Sequence, residues 1–188
     1  RDDFQNGWDG SFGIIGQDHD AEGGPATTLI DINGIDISSA PQVLVTIALG
    51  ALNSEPNFAN FEAADGDQLE VYGQIDGGGY VLLGGFYPPL EGQGDNQGGP
   101  QPNAGDLYRD TDSDSIGDGA GLTVDLRDFR FVVPGTGSTF DLQIASTSTD
   151  SFEPIAVDNV RIDSVPEPTS VAILMAGAAM FCGLRKRS

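Results

Sequence analysis

Up to Ser164 the chain contains no cysteine and no lysine, and it has a single histidine. The missing thiols exclude disulfides, cysteine-ligated zinc and cysteine catalysis from that body. Cys182, the one cysteine of the 188 residues, stands in an apolar run near the C-terminus. Any Ser-His-Asp arrangement would have to use His19, and no Gly-x-Ser-x-Gly elbow supplies the serine. Flanked by Asp18 and Asp20 in a polar loop, His19 reads as a surface residue. Basic charge is equally scarce: residues 1–164 hold five arginines against 28 acids, a net charge of −23. That balance excludes nucleic acid as a partner class and opposes docking on anionic lipid. It favours solubility and the binding of divalent cations.

Helical periodicity is also missing from the body. Short alternating segments, separated by Gly, Asp and Asn clusters, point to antiparallel β-structure. The first segment, 4–15, carries Trp8 and Phe12 among glycines and reads as an edge strand or strap. Residues 27–37 (TTLIDINGIDI) form either a strand with a break at Asn33-Gly34 or a tight hairpin. Residues 43–49 (VLVTIAL) have the unbroken apolar run of a strand buried on both faces. In 68–75, Leu69, Val71 and Ile75 share one face, and Gln68, Glu70, Tyr72 and Gln74 share the other. Asp76-Gly77-Gly78-Gly79 then turns the chain back into 80–83 as a hairpin. No helix follows those glycines, so they are not a phosphate cradle. Residues 88–105 form a long loop without a pattern of their own. Further strands are expected at 122–126, 129–133, 140–144 and 155–162. About ten short strands in one domain of residues 1–164 predict an all-β, antiparallel two-sheet sandwich of jelly-roll type.

Asp110-Thr111-Asp112-Ser113-Asp114-Ser115-Ile116-Gly117-Asp118-Gly119 is the sharpest motif of the body. Carboxylates at alternate positions can wrap one hard cation, since Ca²⁺ takes six to eight oxygens in flexible geometry. Asp110, Asp112, Asp114 and Asp118 are therefore candidate ligands, and an acidic solvated turn is the plain alternative. The motif is similar to the calcium loops of EF-hands and thrombospondin-type repeats. It departs from the EF-hand pattern at Ser115, where the turn glycine belongs, and at Gly121, where the bidentate acid belongs. No flanking helices are expected, so an EF-hand is rejected. Alternation places Asp158 on the strand face of Val160 and Ile162, where an inward carboxylate would need an arginine or a cation beside it.

The stretch Pro134-Gly135-Thr136-Gly137-Ser138-Thr139-Phe140-Asp141-Leu142, then Glu153, then Asp158-Asn159-Val160, resembles the C-terminal half of carbohydrate-binding-module-like jelly rolls. The resemblance implies a structural calcium site in which Asp158 is completed by N-terminal acids, here Asp18, Asp20 and Glu22. Sugar recognition would draw on Trp8, Tyr72, Tyr80, Phe86, Tyr87 and Tyr108. Tyr72, on the polar face of its strand, and Tyr87, just before the long loop, are the candidate glycan contacts; cross-strand packing is the plainer role for each. Acids are plentiful enough for a glycosidase pair, yet no two stand out. The body is expected to be non-enzymatic.

The last residues, 165–188, form a separate unit. Val165-Pro166-Glu167-Pro168 precedes an uncharged run, 169–184, of 16 residues, and Arg185, Lys186 and Arg187 follow it. As a helix the run would reach about 24 Å, slightly short of a bilayer core of roughly 30 Å, with the basic side chains snorkelling outward. The positive-inside rule keeps that cluster in the cytoplasm and puts the body across the membrane. This tail resembles the bacterial PEP-CTERM sorting signal. The resemblance implies a single transmembrane helix at 169–184, a basic stop at 185–187, and an exosortase-like membrane protease that cuts near Pro166. It also implies export across the inner membrane, surface or matrix placement, and association with exopolysaccharide and biofilm. A plain tail anchor with a proline hinge is the alternative. The chain opens on Arg1 rather than Met, and this topology requires a secretory signal peptide ahead of it.

Overall fold

The computed structural model describes residues 14–16, 27–51, 61, 66–89, 107–148 and 154–165. They form nine strands and, among the described residues, no helix. In chain order these are β1 (Ile14–Gly16), β2 (Thr27–Asp36), β3 (Val43–Ala51), β4 (Gln68–Ile75), β5 (Val81–Tyr87), β6 (Tyr108–Arg109), β7 (Arg127–Val133), β8 (Thr139–Thr147) and β9 (Ile155–Ser164). One sheet has the order β1-β9-β3-β7 and the other β2-β8-β4-β5-β6, all antiparallel.

The pairings nest. β1 pairs with β9, β2 with β8, β3 with β7, and β4 with β5, as in one long hairpin ribbon that has been rolled up. The pairings β3·β9 and β4·β8 then join the rolled ribbon into two sheets. That order is the jelly roll, with β6 added beside β5.

The core lies between the sheets. Val43, Val45, Ile47, Leu49, Phe129 and Phe131 of one sheet meet Leu69, Val71, Phe86, Phe140, Leu142 and Ile144 of the other. Phe86 and Phe129 meet edge to face at 4.7 Å between centroids. Each fully buried side chain of this size stabilises by about 1.5–3 kcal/mol. The expected double-sided burial of β3 is seen. Its outward Ala48 is covered by Leu126 and Val124, beside Ala156.

Of the two alternatives for residues 27–37, the strand with a break is seen: β2 runs Thr27–Asp36, and a bulge between Ile32 and Ile35, with Gly34 at φ +73°, absorbs the break. One expectation changes. Residues 122–126 are not a strand. They run irregularly past the end of β3, where the Ala51 amide donates to the Thr123 carbonyl at 3.1 Å. Val124 and Leu126 cap the outer face there while Leu122 enters the main core, and those opposed duties break a regular ladder.

Candidate functional site

The acidic loop packs on the edge of the five-stranded sheet, and its glycines put it there. A Cβ on Gly117 would overlap the Tyr87 carbonyl and stand 2.6 Å from Tyr108 Cβ; one on Gly119 would stand 2.8 Å from the Arg109 carbonyl. The Gly117 amide donates to the Pro88 carbonyl (3.1 Å), and the amides of Asp118 and Gly119 donate to the Arg109 carbonyl (3.2 and 2.7 Å). Only a bare backbone approaches so closely.

Within the loop, Asp110 is the hub. Its carboxylate accepts the amides of Asp112 (3.1 Å), Ser113 (2.6 Å) and Ser115 (2.9 Å). Slight burial acts to raise its pKa, but the amides of Ser115, Ser113, Asp112 and Asp114 outweigh that and hold it below the usual carboxylate value. Ser113 and Ser115 take φ of +68° and +65°, so Ser115 adopts the left-handed turn that a glycine would serve more cheaply. Asp110, Asp112 and Asp114 bring one oxygen each within 4.8 Å of one another. The three could hold a metal ion between them, and exposed acidic groups also cluster in this way without one. The pKa of Asp112 is raised, first by the charge of Asp114, then by slight burial and by Asp118 and Asp110. Asp118 faces elsewhere: its carboxylate accepts the Thr111 amide and hydroxyl, each at 2.9 Å.

The second feature is the outer face of the five-stranded sheet. All four tyrosines of the chain lie on it, in β4, β5, β6 and the turn before β5. Tyr72 is on the polar face of β4, paired with Leu82 and with Gln143. Tyr87 is paired with Tyr108, and Tyr80 feels the charges of Asp31 and Asp141 on the same face. Phe61, Phe86, Phe129, Phe131 and Phe140 all sit in the core instead. Glu70 gathers two of the tyrosines. The Tyr72 hydroxyl donates to Glu70 Oε2 at 2.6 Å, the Tyr87 hydroxyl to Oε1 at 2.7 Å, and Gln68 Nε2 to Oε2 at 3.1 Å. Desolvation first, then the bond to Glu70 and its charge, pushes Tyr72 up to about 12. Tyr87 moves further in the same direction for the same causes, against a smaller opposing bond from the Ser115 side chain. Tyr87 is 5% exposed, covered by the acidic loop, while Tyr80 is 40% exposed. A ring closed in as Tyr87 is has no free face for a sugar; Tyr72 is half-buried and Tyr80 is open.

Asp158 is buried, but not on the face that alternation assigns to it. The register runs Val45↔Ile162 and Thr46↔Arg161, then skips to Ala48↔Asp158. Asn159, at φ +48°, is the extra residue of a bulge. The bulge flips parity, so Val157, Val160 and Ile162 pack with the core while Asp158 lies beside Ala48 on the outer face.

Asp18, Asp20, Glu22, His19 and Trp8 lie outside the described residues, as do Pro166, Glu167, Pro168, the 169–184 run, Arg185, Lys186 and Arg187. Among the described residues no helix is long and apolar enough to cross a membrane. Val165 is described, and its amide donates to the Gln42 carbonyl at 2.9 Å.

No family model matches the chain, and no curated protein matches it.

Proposed function

We propose that this protein is an exported, non-enzymatic component of the cell surface or extracellular matrix, delivered by its C-terminal tail. In this reading 169–184 forms a transient transmembrane helix, Arg185, Lys186 and Arg187 hold its end in the cytoplasm, and an exosortase-like protease cuts near Pro166-Glu167-Pro168. The body then works in the company of exopolysaccharide. One observation carries the reading. The ladder of the sandwich runs through Ser164 and the Val165 amide, and Pro166 has no amide hydrogen with which to continue it. In the sequence, Pro166-Glu167-Pro168 thus follows directly on the last described residue of the ladder.

Calcium at Asp110, Asp112 and Asp114 serves as a structural staple in this account. The clustering of the three carboxylates, one oxygen of each within 4.8 Å of the others, supports it. The sorting reading is tested by combining Pro166→Ala, Glu167→Gln and Pro168→Ala in a host that carries an exosortase. The variant should stay in the membrane fraction. Release to the medium at the unmodified level overturns the reading.

A second reading, a glycan-binding module, is favoured by the gathering of every tyrosine on one outer sheet face. Its test is calcium-dependent or calcium-independent retention of the protein on the producing cell's own exopolysaccharide, and no retention in either condition removes it.

A further inference from the structure

We propose that Asn33 is a self-modification site, which the chain converts to aspartate and isoaspartate with Asp141 as the base. In the β2·β8 register the pairs step from Ile32↔Leu142 to Ile35↔Phe140, so Asn33 and Gly34 together oppose Asp141. Gly34 takes φ +73° at this bulge, and its amide donates to Asp141 Oδ1 at 2.7 Å. The nitrogen of that amide is the atom that closes a succinimide ring on the Asn33 side-chain carbonyl. An amide is a poor nucleophile while it keeps its proton, and a carboxylate within hydrogen-bond reach is what a general base requires. Asn33 and Gly34 are exposed, and nothing stands within 4 Å of a Cβ placed on Gly34. The ring therefore has room to close, water to enter and ammonia to leave.

The step balances with water as its only co-reactant. Asp141 takes the Gly34 amide proton as the nitrogen attacks Asn33 Cγ. The Cγ–Nδ2 bond breaks, and Nδ2 leaves as ammonia with the proton that Asp141 returns. Water then opens the ring at Cγ, which leaves aspartate at position 33, or at the main-chain carbonyl carbon, which leaves isoaspartate. Either product adds a negative charge to a strand that already carries Asp31 and Asp36. Isoaspartate also lengthens the backbone by one methylene just ahead of the Ile35↔Phe140 and Asp36↔Thr139 pairs. β2 is the edge of its sheet and is held there by β8 alone, so the change loosens its end. Asp76-Gly77 and Asp118-Gly119 lack this arrangement, because each acid's own carboxylate is tied to amides elsewhere. Asp76 accepts those of Ser138 and Thr139, both at 2.8 Å, and Asp118 accepts that of Thr111 at 2.9 Å.

The test incubates the full chain at neutral pH, folded in mild detergent and unfolded in guanidinium chloride. Asp141→Asn is run beside it once its melting curve matches that of the unmodified protein. Peptide mass mapping reads the amide-to-acid mass gain at Asn33, separately from that at Asn6 of Asn6-Gly7, the other Asn-Gly pair of the chain. An isoaspartyl methyltransferase reads the isoaspartate. Expected is faster conversion of Asn33 in the folded chain than in the unfolded one, slowed at least about tenfold by Asp141→Asn. Conversion no faster when folded overturns the proposal, since the bulge then supplies no catalysis. A folded Asp141→Asn variant that converts at the unmodified rate overturns it as well. Should that variant fail to fold, the comparison of folded and unfolded unmodified chain decides alone.

Discussion

The Tyr87 side chain crosses over Gly85 and donates its hydroxyl to Glu70 Oε1 on the neighbouring strand at 2.7 Å. Glu70 and Gly85 are direct cross-strand partners, so the missing side chain at Gly85 is what clears the path. Tyr72 reaches the other oxygen of the same carboxylate. One acid thereby ties β4 to β5 and orients a ring on the open part of the face.

Glu70→Ala leaves two phenol donors without their acceptor and should destabilise by about 1–3 kcal/mol in urea unfolding. It should also bring the Tyr72 and Tyr87 hydroxyls part of the way back toward the ordinary tyrosine value, read from phenolate absorbance. The folded pKa of Tyr72, about 12, lies above the ordinary tyrosine value of 10.0. Its contribution to stability is therefore complete below pH 10.0 and is lost as pH rises toward about 12. Tyr72→Phe should blunt that alkaline loss. An unchanged alkaline profile contradicts this account of the face.

On the proposed calcium site, the ion should raise the melting temperature relative to chelator, by mass action on the folded state. The crowding around Asp112 adds a sharper expectation. An acid whose folded pKa is raised costs stability once ionised. In chelator, Asp112→Asn should therefore melt slightly higher than the unmodified protein, and in calcium it should gain less. Equal melting temperatures for the unmodified protein in both conditions contradict the calcium staple.

Gly117→Ala should be far worse than Gly79→Ala. The first would press a methyl group against the Tyr87 and Tyr108 backbone, whereas the second meets nothing within 4 Å. A cost of about 1–3 kcal/mol is expected for the first and little for the second, by chemical denaturation. Similar costs would contradict the close seating of the loop.

Asn159→Gly should be tolerated, because φ +48° suits glycine. Asn159→Val should cost about 1–2 kcal/mol and expose Asp158 to a shifted register. Equal stability of the two variants would contradict the bulge.

Two bulges, at Asn159 in β9 and at Leu83 in β5, mark where simple alternation fails to assign faces. Alternation in 68–75, the apolar run of 43–49 and the Asp76-Gly77-Gly78-Gly79 turn identify β4, β3 and the β4–β5 hairpin, because each signal is local and each strand is regular. The Asp110–Asp114 cluster is legible for the same reason, since its carboxylates are neighbours in sequence. Asp158 is not, because one extra residue at Asn159 reverses the face of everything before it. The tyrosine face fails in the same way. Tyr80 and Tyr87 are separated by an odd interval, which alternation puts on opposite faces. Leu83 is the extra residue where the register jumps from Val71↔Gly84 to Tyr72↔Leu82, and it returns Tyr87 to the side of Tyr80. Glu70 as the meeting point of two phenols depends on pairing between strands, which no single segment encodes.

On the proposed reading the body is exported and parted from its tail, and the intact mass of the protein recovered outside a producing cell decides the point. The account predicts a C-terminus near Pro166. Recovery of extracellular protein with Arg187 still attached would contradict it.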